Sequence, residues 1–481
     1  MINKLEPTLV WNFFDEITKV PRPSKKEEKI IAYLVDFANE NSFEYKCDET
    51  GNIVIYKEAQ NSSSEETIIL QSHVDMVCEK NSDKEFNFDT DAIETYIEDG
   101  WVKANGTTLG ADCGIGMALT MAVLASKEIS HPKIEALFTV DEETGLTGAF
   151  GLSNDLLKGK YLINLDSEDE GEIFVGCAGG IDTIAEYKFN YLTSTSPATA
   201  LKLVIKGLKG GHSGDDINKG YANANILMAR FLIDLLEEKS LTISDINGGN
   251  LRNAIPRECF AVVNVNAEDV DYIKAKFAEY EAVVKAEFHA TEDKISFEVQ
   301  ELGETSSYEY IPQETVNSLL KLVYLALNGV QAMSFDLENL VETSTNLASI
   351  KIKDSVITIS SSQRSSVNSK KVYLSKVMKT LFESCGAQVK QSDGYPGWSP
   401  KMDSKLLEIF VNSYSELFDK EAKVKAIHAG LECGLFLEKY PQLEMISVGP
   451  TLRRVHSPEE MIEIATVGMT WDLLVNALGK L

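Results

Sequence analysis

Histidines and carboxylates stand at the ends of predicted strands and the starts of predicted helices in five short segments. These segments are His73-Val74-Asp75, Gly110-Ala111-Asp112, Asp141-Glu142-Glu143-Thr144-Gly145, Asp166-Ser167-Glu168 and Arg454-Val455-His456-Ser457-Pro458. In an open α/β sheet, functional sites assemble at the carboxyl ends of the strands. We therefore expect side chains from these segments to meet in one pocket, where imidazoles and carboxylates together can bind metal ions.

His73 and Asp75 lie two residues apart at the end of an apolar segment, Thr67–Val74, that predicts a strand. Residues two apart on a strand point to the same side. An H-x-D pair alone is more often a structural histidine beside a solvated acid. Here the acid follows an apolar run, where an unpaired carboxylate would be costly, and a carboxylate is the usual partner that orients a metal-bound imidazole.

The other acids each have an ordinary structural interpretation as well. Asp112 opens a predicted helix, where an N-cap is the simpler explanation. Glu142 and Glu143 follow a predicted strand and could belong to a solvated loop, although two adjacent glutamates can also divide metal binding and proton transfer between them. Asp166 ends the next predicted strand and could be a turn residue.

His456 directly precedes what the sequence predicts to be a helix start. Ser457 is the predicted N-cap, Pro458 takes the first helical position and Glu460 closes a capping box. This cap explains three residues and leaves His456 without a structural reason.

Together, two histidines and three carboxylates at element ends match a site for two divalent ions. One carboxylate can bridge both ions, and each ion then keeps one histidine and one further acid. Mixed nitrogen and oxygen ligands suit Zn²⁺, with Mn²⁺ or Co²⁺ able to substitute. Two metals roughly 3.5–4 Å apart can activate water and polarise a carbonyl.

The elements that position these residues indicate an α/β protein with an insertion. Strands and helices alternate over the first 180 residues, which predicts a mostly parallel sheet. The middle of the chain contains two helix–strand–strand–helix–strand patterns, and the α/β pattern then returns. We predict one domain formed by residues 1–183 and 391–481, interrupted at 184–390 by an inserted α+β domain of two ferredoxin-like halves.

Local patterns predict three further elements. Pro7–Glu40 has a helical period, with Ser24 as its internal N-cap. Leu251–Ile255 is predicted as a strand, and Pro458–Leu478 as the final helix.

Composition narrows the class of protein and its partners. The 481 residues include 46 Lys and Arg against 74 Asp and Glu, for a formal net charge of −28. Such a surface repels nucleic acid and anionic membranes, so we expect neither as a partner. Seven scattered cysteines without a CxxC pair indicate reduced thiols, and neither a signal peptide nor a ~20-residue apolar run is apparent. We predict a cytoplasmic protein.

The motifs, taken in order, resemble the M20 metallopeptidase family. They read HVDMV, GADCGIG, DEETGLTGA, NLDSEDEG, GGHSG and RRVHSPEE. The likeness is strongest to the aminoacyl-histidine dipeptidase branch and covers essentially the whole chain. It implies a zinc-peptidase catalytic domain interrupted by a lid.

The resemblance also implies a role for each metal ligand. His73, Asp112 and Asp166 resemble the ligands of one zinc ion. Asp112, Glu143 and His456 resemble those of the other, with Asp112 bridging the two.

Further roles follow from the same resemblance. Asp75 is similar to the acid that orients the first histidine, and Glu142 to the general acid and base. In the lid, His212 resembles a histidine that reaches the scissile carbonyl. Asn253 resembles a substrate-binding position, and Arg364 an arginine that holds the substrate C-terminal carboxylate; a surface salt bridge or a loop hydrogen bond is the alternative for these lid residues.

Two more expectations concern the segment His428–Gly434 and the assembly of the chain. The segment resembles a family segment near the site, where the backbone of Gly430 and Glu432 would help to seat the substrate. The family often dimerises through its lids. A doubled lid could either take the place of a dimer partner or coexist with one, and a homodimer is the expectation.

The resemblance implies a dizinc dipeptidase that hydrolyses small peptides with free ends, including Xaa-His dipeptides. A tripeptidase or an N-acyl-amino-acid deacylase of the same family is the alternative, because the metal site contacts only the scissile amide, which all three kinds of substrate contain. A non-catalytic relative that binds peptide or metal is a more distant alternative, which the loss of Glu142 or of a ligand would signal. Neither is missing from the sequence.

Overall fold

The structure is a computed structural model that describes residues 2–481, and it divides into two compact units. Unit 1 comprises the chain up to Gly176 together with Trp398–Ala426 and Leu431–Leu481. Unit 2 comprises Cys177–Gly397 and the short segment Ile427–Gly430. No helix within residues 2–481 has the length and hydropathy to cross a bilayer.

The described residues form twelve α-helices and twenty-three β-strands. The helices are α1 Thr8–Ile17, α2 Glu28–Glu40, α3 Ala111–Ala125, α4 Glu142–Gly145, α5 Thr147–Gly151, α6 Ala224–Glu238, α7 Val270–Glu287, α8 Gln313–Leu325, α9 Asn368–Ser384, α10 Lys405–Phe418, α11 Glu432–Lys439 and α12 Ile464–Leu478. The strands are β1 Glu44–Cys47, β2 Ile53–Lys57, β3 Thr67–His73, β4 Thr95–Glu98, β5 Trp101–Ala104, β6 Lys133–Thr139, β7 Tyr161–Asn164, β8 Glu172–Cys177, β9 Gly179–Lys188, β10 Leu192–Ser194, β11 Ala198–Lys206, β12 Thr242–Gly248, β13 Cys259–Val265, β14 Ser296–Thr305, β15 Tyr308–Tyr310, β16 Gly329–Met333, β17 Val341–Lys353, β18 Val356–Ser365, β19 Gln388–Gln391, β20 Lys423–Ile427, β21 Glu444–Ser447, β22 Leu452–Arg453 and β23 Met461–Glu463.

Unit 1 contains an eight-stranded sheet in the order β1-β2-β6-β3-β7-β21-β8-β20. The four central strands β6, β3, β7 and β21 are mutually parallel, while β1, β2 and β8 pair antiparallel at the flanks. The α/β class is therefore confirmed, in a mixed sheet with a parallel centre. Because parallel strands end at the same edge, the residues that follow β3, β6 and β7 gather there.

The central strands form because both of their faces are covered. Residues 68–73 of β3 and 134–139 of β6 are all buried, as expected for the near-continuous apolar runs of a parallel sheet. Helix α3 is buried along almost its whole length, and its many alanine and glycine residues allow close packing against β3 and α1. The small residues of α3 therefore allow the helix to lie close to the sheet.

Unit 2 contains a second sheet in the order β14-β11-β13-β12-β17-β18-β9-β19. The run β11-α6-β12-β13-α7-β14 places its strands in the order fourth, first, third, second, which is the ferredoxin-like arrangement. The set β9, α8, β17, β18, α9 and β19 repeats this order, with the first half inserted between β9 and α8. Strands β12 and β17 pair through Gly248 and Ile350, so the two halves share one sheet.

The predicted strand Leu251–Ile255 is wrong. The strand lies earlier, as β12, and the chain leaves the sheet at Gly249, whose φ of 67° ends the extended run. Leu251 is exposed, and Pro256 offers no N–H to a ladder. The apolar residues of this segment are therefore loop residues.

Two predicted helix starts are also wrong. The region Pro7–Glu40 forms two helices, α1 and α2, and Ser24 lies between them without capping either. The final helix begins at Ile464, because Met461–Glu463 pairs with β5 and β22 as strand β23. The side chain of Glu460, predicted to close a capping box, is buried and bonds elsewhere in the chain.

Candidate metal centre

The two predicted histidines face opposite oxygens of one carboxylate in unit 1. His73 Nε2 lies 3.1 Å from Asp112 Oδ1, and His456 Nε2 lies 3.2 Å from Asp112 Oδ2. His73 is the last residue of β3, Asp112 stands at the start of α3, and His456 lies in the loop before β23. Side chains from positions 73, 112 and 456 of the chain thus converge on a single point.

Each histidine also meets a second acid. His73 Nε2 lies 3.3 Å from Asp166 Oδ1, just beyond the end of β7, and His456 Nε2 lies 2.9 Å from Glu143 Oε2 in α4. The structure therefore brings together all five side chains that the sequence suggested as ligands. They form two groups of one imidazole and one acid, with Asp112 between them.

Asp75 joins His73 to the segment that carries Glu142 and Glu143. Its Oδ1 lies 3.3 Å from His73 Nδ1 and accepts the amide of Glu142 at 3.0 Å, while Oδ2 accepts the Ser24 hydroxyl at 2.8 Å and the Glu143 amide at 3.3 Å. Burial disfavours its charged form, but the contact with His73 and these donors outweigh burial and lower the pKa of Asp75 to about 2. The side chain is therefore a fixed anion that orients the imidazole.

The electrostatics of the cluster are those of crowded, buried acids. Burial, together with the charge of Asp112, raises the pKa of Asp166 to about 6, and burial near the same two acids raises the pKa of Glu168 to about 8. Hydrogen bonds to Asp112 and Glu143 raise the pKa of His456 to about 11. In the absence of further positive charge, Asp166, Glu168 and His456 therefore keep their protons to a higher pH than the free side chains do.

Burial raises the pKa of Glu142 well above its ordinary value, and the charges of Asp166 and Glu432 raise it further, although His73 opposes them. The backbone amide of Glu142 is bonded to Asp75, which fixes the residue at the start of α4. A carboxyl group with a raised pKa next to possible ligands has the properties of a general acid and base.

The donor set fits a pair of divalent cations. Two imidazoles and three carboxylates are the ligands that zinc, manganese and cobalt accept in proteins. Glu143 Oε1 is buried without a hydrogen-bond partner, a costly state for a carboxylate oxygen unless a cation meets it.

A buried polar layer beneath the cluster was not predicted. Gln71 Nε2 and Thr139 Oγ1 donate to Glu432 Oε2 at 2.7 and 2.9 Å, and Asn164 Nδ2 donates to Gln71 Oε1 at 2.5 Å. The sequence suggested only a backbone role for Glu432. Its side chain has no local signal, since its partners lie on β3 and β6, far away in the chain. Glu432 Oε1 is buried without a partner.

The predicted lid residues lie in unit 2, where a short loop brings them together. The Ser213 amide, next to His212, donates to the carbonyl of Asn253 at 2.8 Å, and Arg364 Nε donates to Ser213 Oγ at 3.3 Å. Arg364 Nη1 also donates to the Tyr395 hydroxyl at 3.0 Å. The guanidinium is buried, and no carboxylate within residues 2–481 forms an ion pair with it.

His428 is a second buried residue of unit 2 that the sequence did not single out by itself. Its Nε2 lies 2.7 Å from Ser344 Oγ. Ser344 on β17 is paired in register with Arg364 on β18. Burial and the positive charge of Arg364 lower the pKa of His428 to about 3. The imidazole is therefore neutral at physiological pH.

Glu432→Gln tests the polar layer through the pH dependence of stability. Burial raises the pKa of Glu432 to about 8, so from about pH 5 to about pH 8 the folded state binds one more proton than the unfolded state. Wild-type stability must then fall relative to the variant as pH rises through this range, by up to ~1.4 kcal/mol per pH unit. Thermal midpoints of the metal-free proteins at both ends of the range measure the effect.

The matched control is Glu438→Gln, at an exposed position of the same helix. It should follow the wild type at every pH. Parallel wild-type and Glu432→Gln curves would show that Glu432 is ionised across this range and would contradict the assignment.

Comparisons with known proteins show which family and fold the chain resembles. The family described as Peptidase family M20/M25/M40 matches residues 69–480. The chain is 40% identical over 481 residues to the cytosol non-specific dipeptidase of Escherichia coli, covering 100% of this chain and 99% of that protein. The crystal structure of aminoacylhistidine dipeptidase from Vibrio alginolyticus superposes with a TM-score of 0.92 at 41% identity, over 100% of this chain and 98% of that one.

A tripeptidase from Staphylococcus aureus shares the fold alone, with a TM-score of 0.57 at 15% identity over 99% of this chain and 98% of that one. The family match and the full-length E. coli relative rest on much higher similarity. On these grounds, this chain belongs to the M20 family of peptidases and is a hydrolase.

Proposed function

We propose that this protein is a dinuclear metallodipeptidase that hydrolyses dipeptides with free ends, including Xaa-His dipeptides. Membership of the M20 metallopeptidase family implies divalent metal binding. The observation that carries the dinuclear proposal is the Asp112 carboxylate, whose two oxygens each face a different imidazole. The names of the E. coli and Vibrio relatives support dipeptides as the substrate class and Xaa-His as one preference.

His73, Asp112 and Asp166 would hold one ion, and Asp112, Glu143 and His456 the other. Zinc suits this donor set best, with manganese and cobalt as substitutes. When bound, the two cations would polarise the scissile carbonyl and lower the pKa of water.

Glu142 performs the proton transfers in this proposal. Its carboxylate takes a proton from the attacking water and returns it to the leaving amine. A group that must both accept and release a proton works best with a pKa near the working pH, and burial shifts Glu142 in that direction. Asp75 supports the step by holding the Glu142 amide and the His73 ring.

Arg364, His212 and Asn253, all in unit 2, are the proposed substrate-binding residues. Arg364 is a buried guanidinium without a carboxylate partner, and a substrate C-terminal carboxylate would complete its hydrogen bonding. His212 would donate to the oxyanion, and Asn253 would bind the substrate backbone. His212 is partly exposed, and its Nδ1 lies 3.3 Å from Asp215 Oδ2, which orients the ring.

Tripeptide cleavage and N-acyl-amino-acid deacylation use the same metal chemistry. A panel of dipeptides, tripeptides and acyl-amino acids separates these activities, with the highest kcat/KM expected for dipeptides.

Two further predictions concern the cell compartment and the assembly. The name of the E. coli relative supports a cytoplasmic location. A homodimer also remains a prediction.

Metal removal should abolish activity and lower the thermal midpoint. Without cations, the buried acids around Asp112 repel one another, and a ligand at 100 times its Kd stabilises the folded state by about 2.7 kcal/mol. Dialysis against a chelator followed by zinc addition should reverse both effects. Elemental analysis should give two metal ions per chain, and a single ion would contradict the dinuclear assignment.

The adjacent glutamates provide a matched pair of variants. Glu142→Gln should retain both metal ions and lose about 10²–10⁴-fold in kcat, because only the proton transfer is removed. Glu143→Gln should lose metal as well as activity. Near wild-type hydrolysis by Glu142→Gln would show that another group transfers the proton.

Arg364→Ala should raise KM most for peptides with a free C-terminal carboxylate. The loss should be much smaller for C-terminally amidated peptides, which are poor substrates already. Arg252→Ala is the control, because Arg252 is exposed in unit 2 and pairs with Asp182. Equal losses on free and amidated peptides would contradict the carboxylate assignment.

A further inference from the structure

We propose that Arg22 and Glu460, two buried charged residues outside the ligand set, are positioning residues that hold the metal-binding loops and thereby set metal affinity. Both side chains are 2% exposed in unit 1. The inference rests on the proposed metal site and adds the residues that arrange it before metal binds.

Arg22 binds the backbone on both sides of the cluster. Its Nη1 donates to the carbonyls of Val74 and Asp75 at 2.9 and 2.7 Å, and its Nη2 donates to the carbonyl of Gly110. One planar guanidinium thus joins the segment that follows β3 to the segment that opens α3. These segments carry His73 and Asp112.

The glycines of the GADCG motif make room for this guanidinium. A Cβ placed on Gly110 or on Gly114 would lie 2.6 Å from Arg22 Nη2 in either case. Gly110 also has a φ of 69°, which disfavours residues with a side chain. The spacing of the two glycines therefore follows from the position of Arg22, independently of any ligand.

Glu460 binds the same segment from its amide side. Its Oε2 accepts the amides of Leu109 and Gly110 at 2.8 and 3.0 Å, and its Oε1 accepts those of Ala111 and Asp112 at 2.8 and 3.3 Å. Glu460 follows His456 by four residues. It therefore ties the loop of the second histidine to the bridging acid.

Arg22 and Glu460 together fix the Gly110 residue through its carbonyl and its amide. Hydrogen bonds to charged groups are stronger than hydrogen bonds between neutral groups. This matters at Asp112 because Asp166 and Glu143 face the same two histidines, so that their negative charges lie close to that of Asp112. Rigid support lets the ligands keep their spacing without metal, so less free energy is spent on ordering them when metal binds.

The test measures zinc affinity by competition with a chromophoric chelator, using the full-length protein. Arg22→Met and Glu460→Gln should weaken zinc binding by about 10–100-fold, the usual effect of removing groups that support metal ligands. Arg22→Lys should fall between Arg22→Met and the wild type, because an ammonium can still reach one or two of the carbonyls. Circular dichroism and thermal midpoints identify which variants are folded.

Glu459→Gln is the matched control, since Glu459 is exposed and pairs with Arg454 at the surface. Its zinc affinity should equal that of the wild type. In the folded variants, saturating zinc should restore much of kcat, which loss of a catalytic group would not allow. If Arg22→Met fails to fold, Arg22→Lys and Glu460→Gln still decide the outcome.

Folded Glu460→Gln and Arg22→Lys proteins that bind zinc as tightly as the wild type would overturn the positioning role. Such a result would leave the proposed function intact, provided that the wild type holds zinc and cleaves dipeptides. A wild-type chain that binds no zinc would overturn both proposals.

Discussion

The Asp112 carboxylate, with an imidazole on each oxygen, is the interaction on which unit 1 depends. Its side chain is 14% exposed and lies among other acids that raise one another's pKa values. Such a concentration of buried negative charge is stable only with compensating positive charge. The histidines supply part of it, and a pair of cations would supply the rest.

The fold supports this concentration of charge through backbone hydrogen bonds. The parallel centre of the sheet delivers His73 and Asp166 to one edge, because β3 and β7 end there side by side. Asp75 then fixes the start of α4 by accepting hydrogen bonds from the amides of Glu142 and Glu143. Arg22 and Glu460 bind the segment before α3, so that the segment leading to Asp112 is held by residues from two other parts of the chain.

Unit 2 contains a buried positive charge of its own. There the buried guanidinium of Arg364 donates hydrogen bonds to two hydroxyl groups and forms no ion pair with a carboxylate among residues 2–481. Unit 1 thus has an excess of buried carboxylates, and unit 2 has a buried cation. The carboxylate of a small peptide would pair with the guanidinium of Arg364.

The sequence by itself determined which side chains meet in the cluster. The strand period placed His73 and Asp75 on one side, and the ends of predicted strands located Asp166 and the glutamates. The predicted capping-box role of Glu460 was wrong. A glutamate three residues after a serine has the same local pattern whether it caps a helix or accepts hydrogen bonds from a distant loop. Only the tertiary structure decided the roles of Arg22, Glu432 and Glu460. Their partners lie far away along the chain, and a buried charge takes its function from the groups that surround it in space.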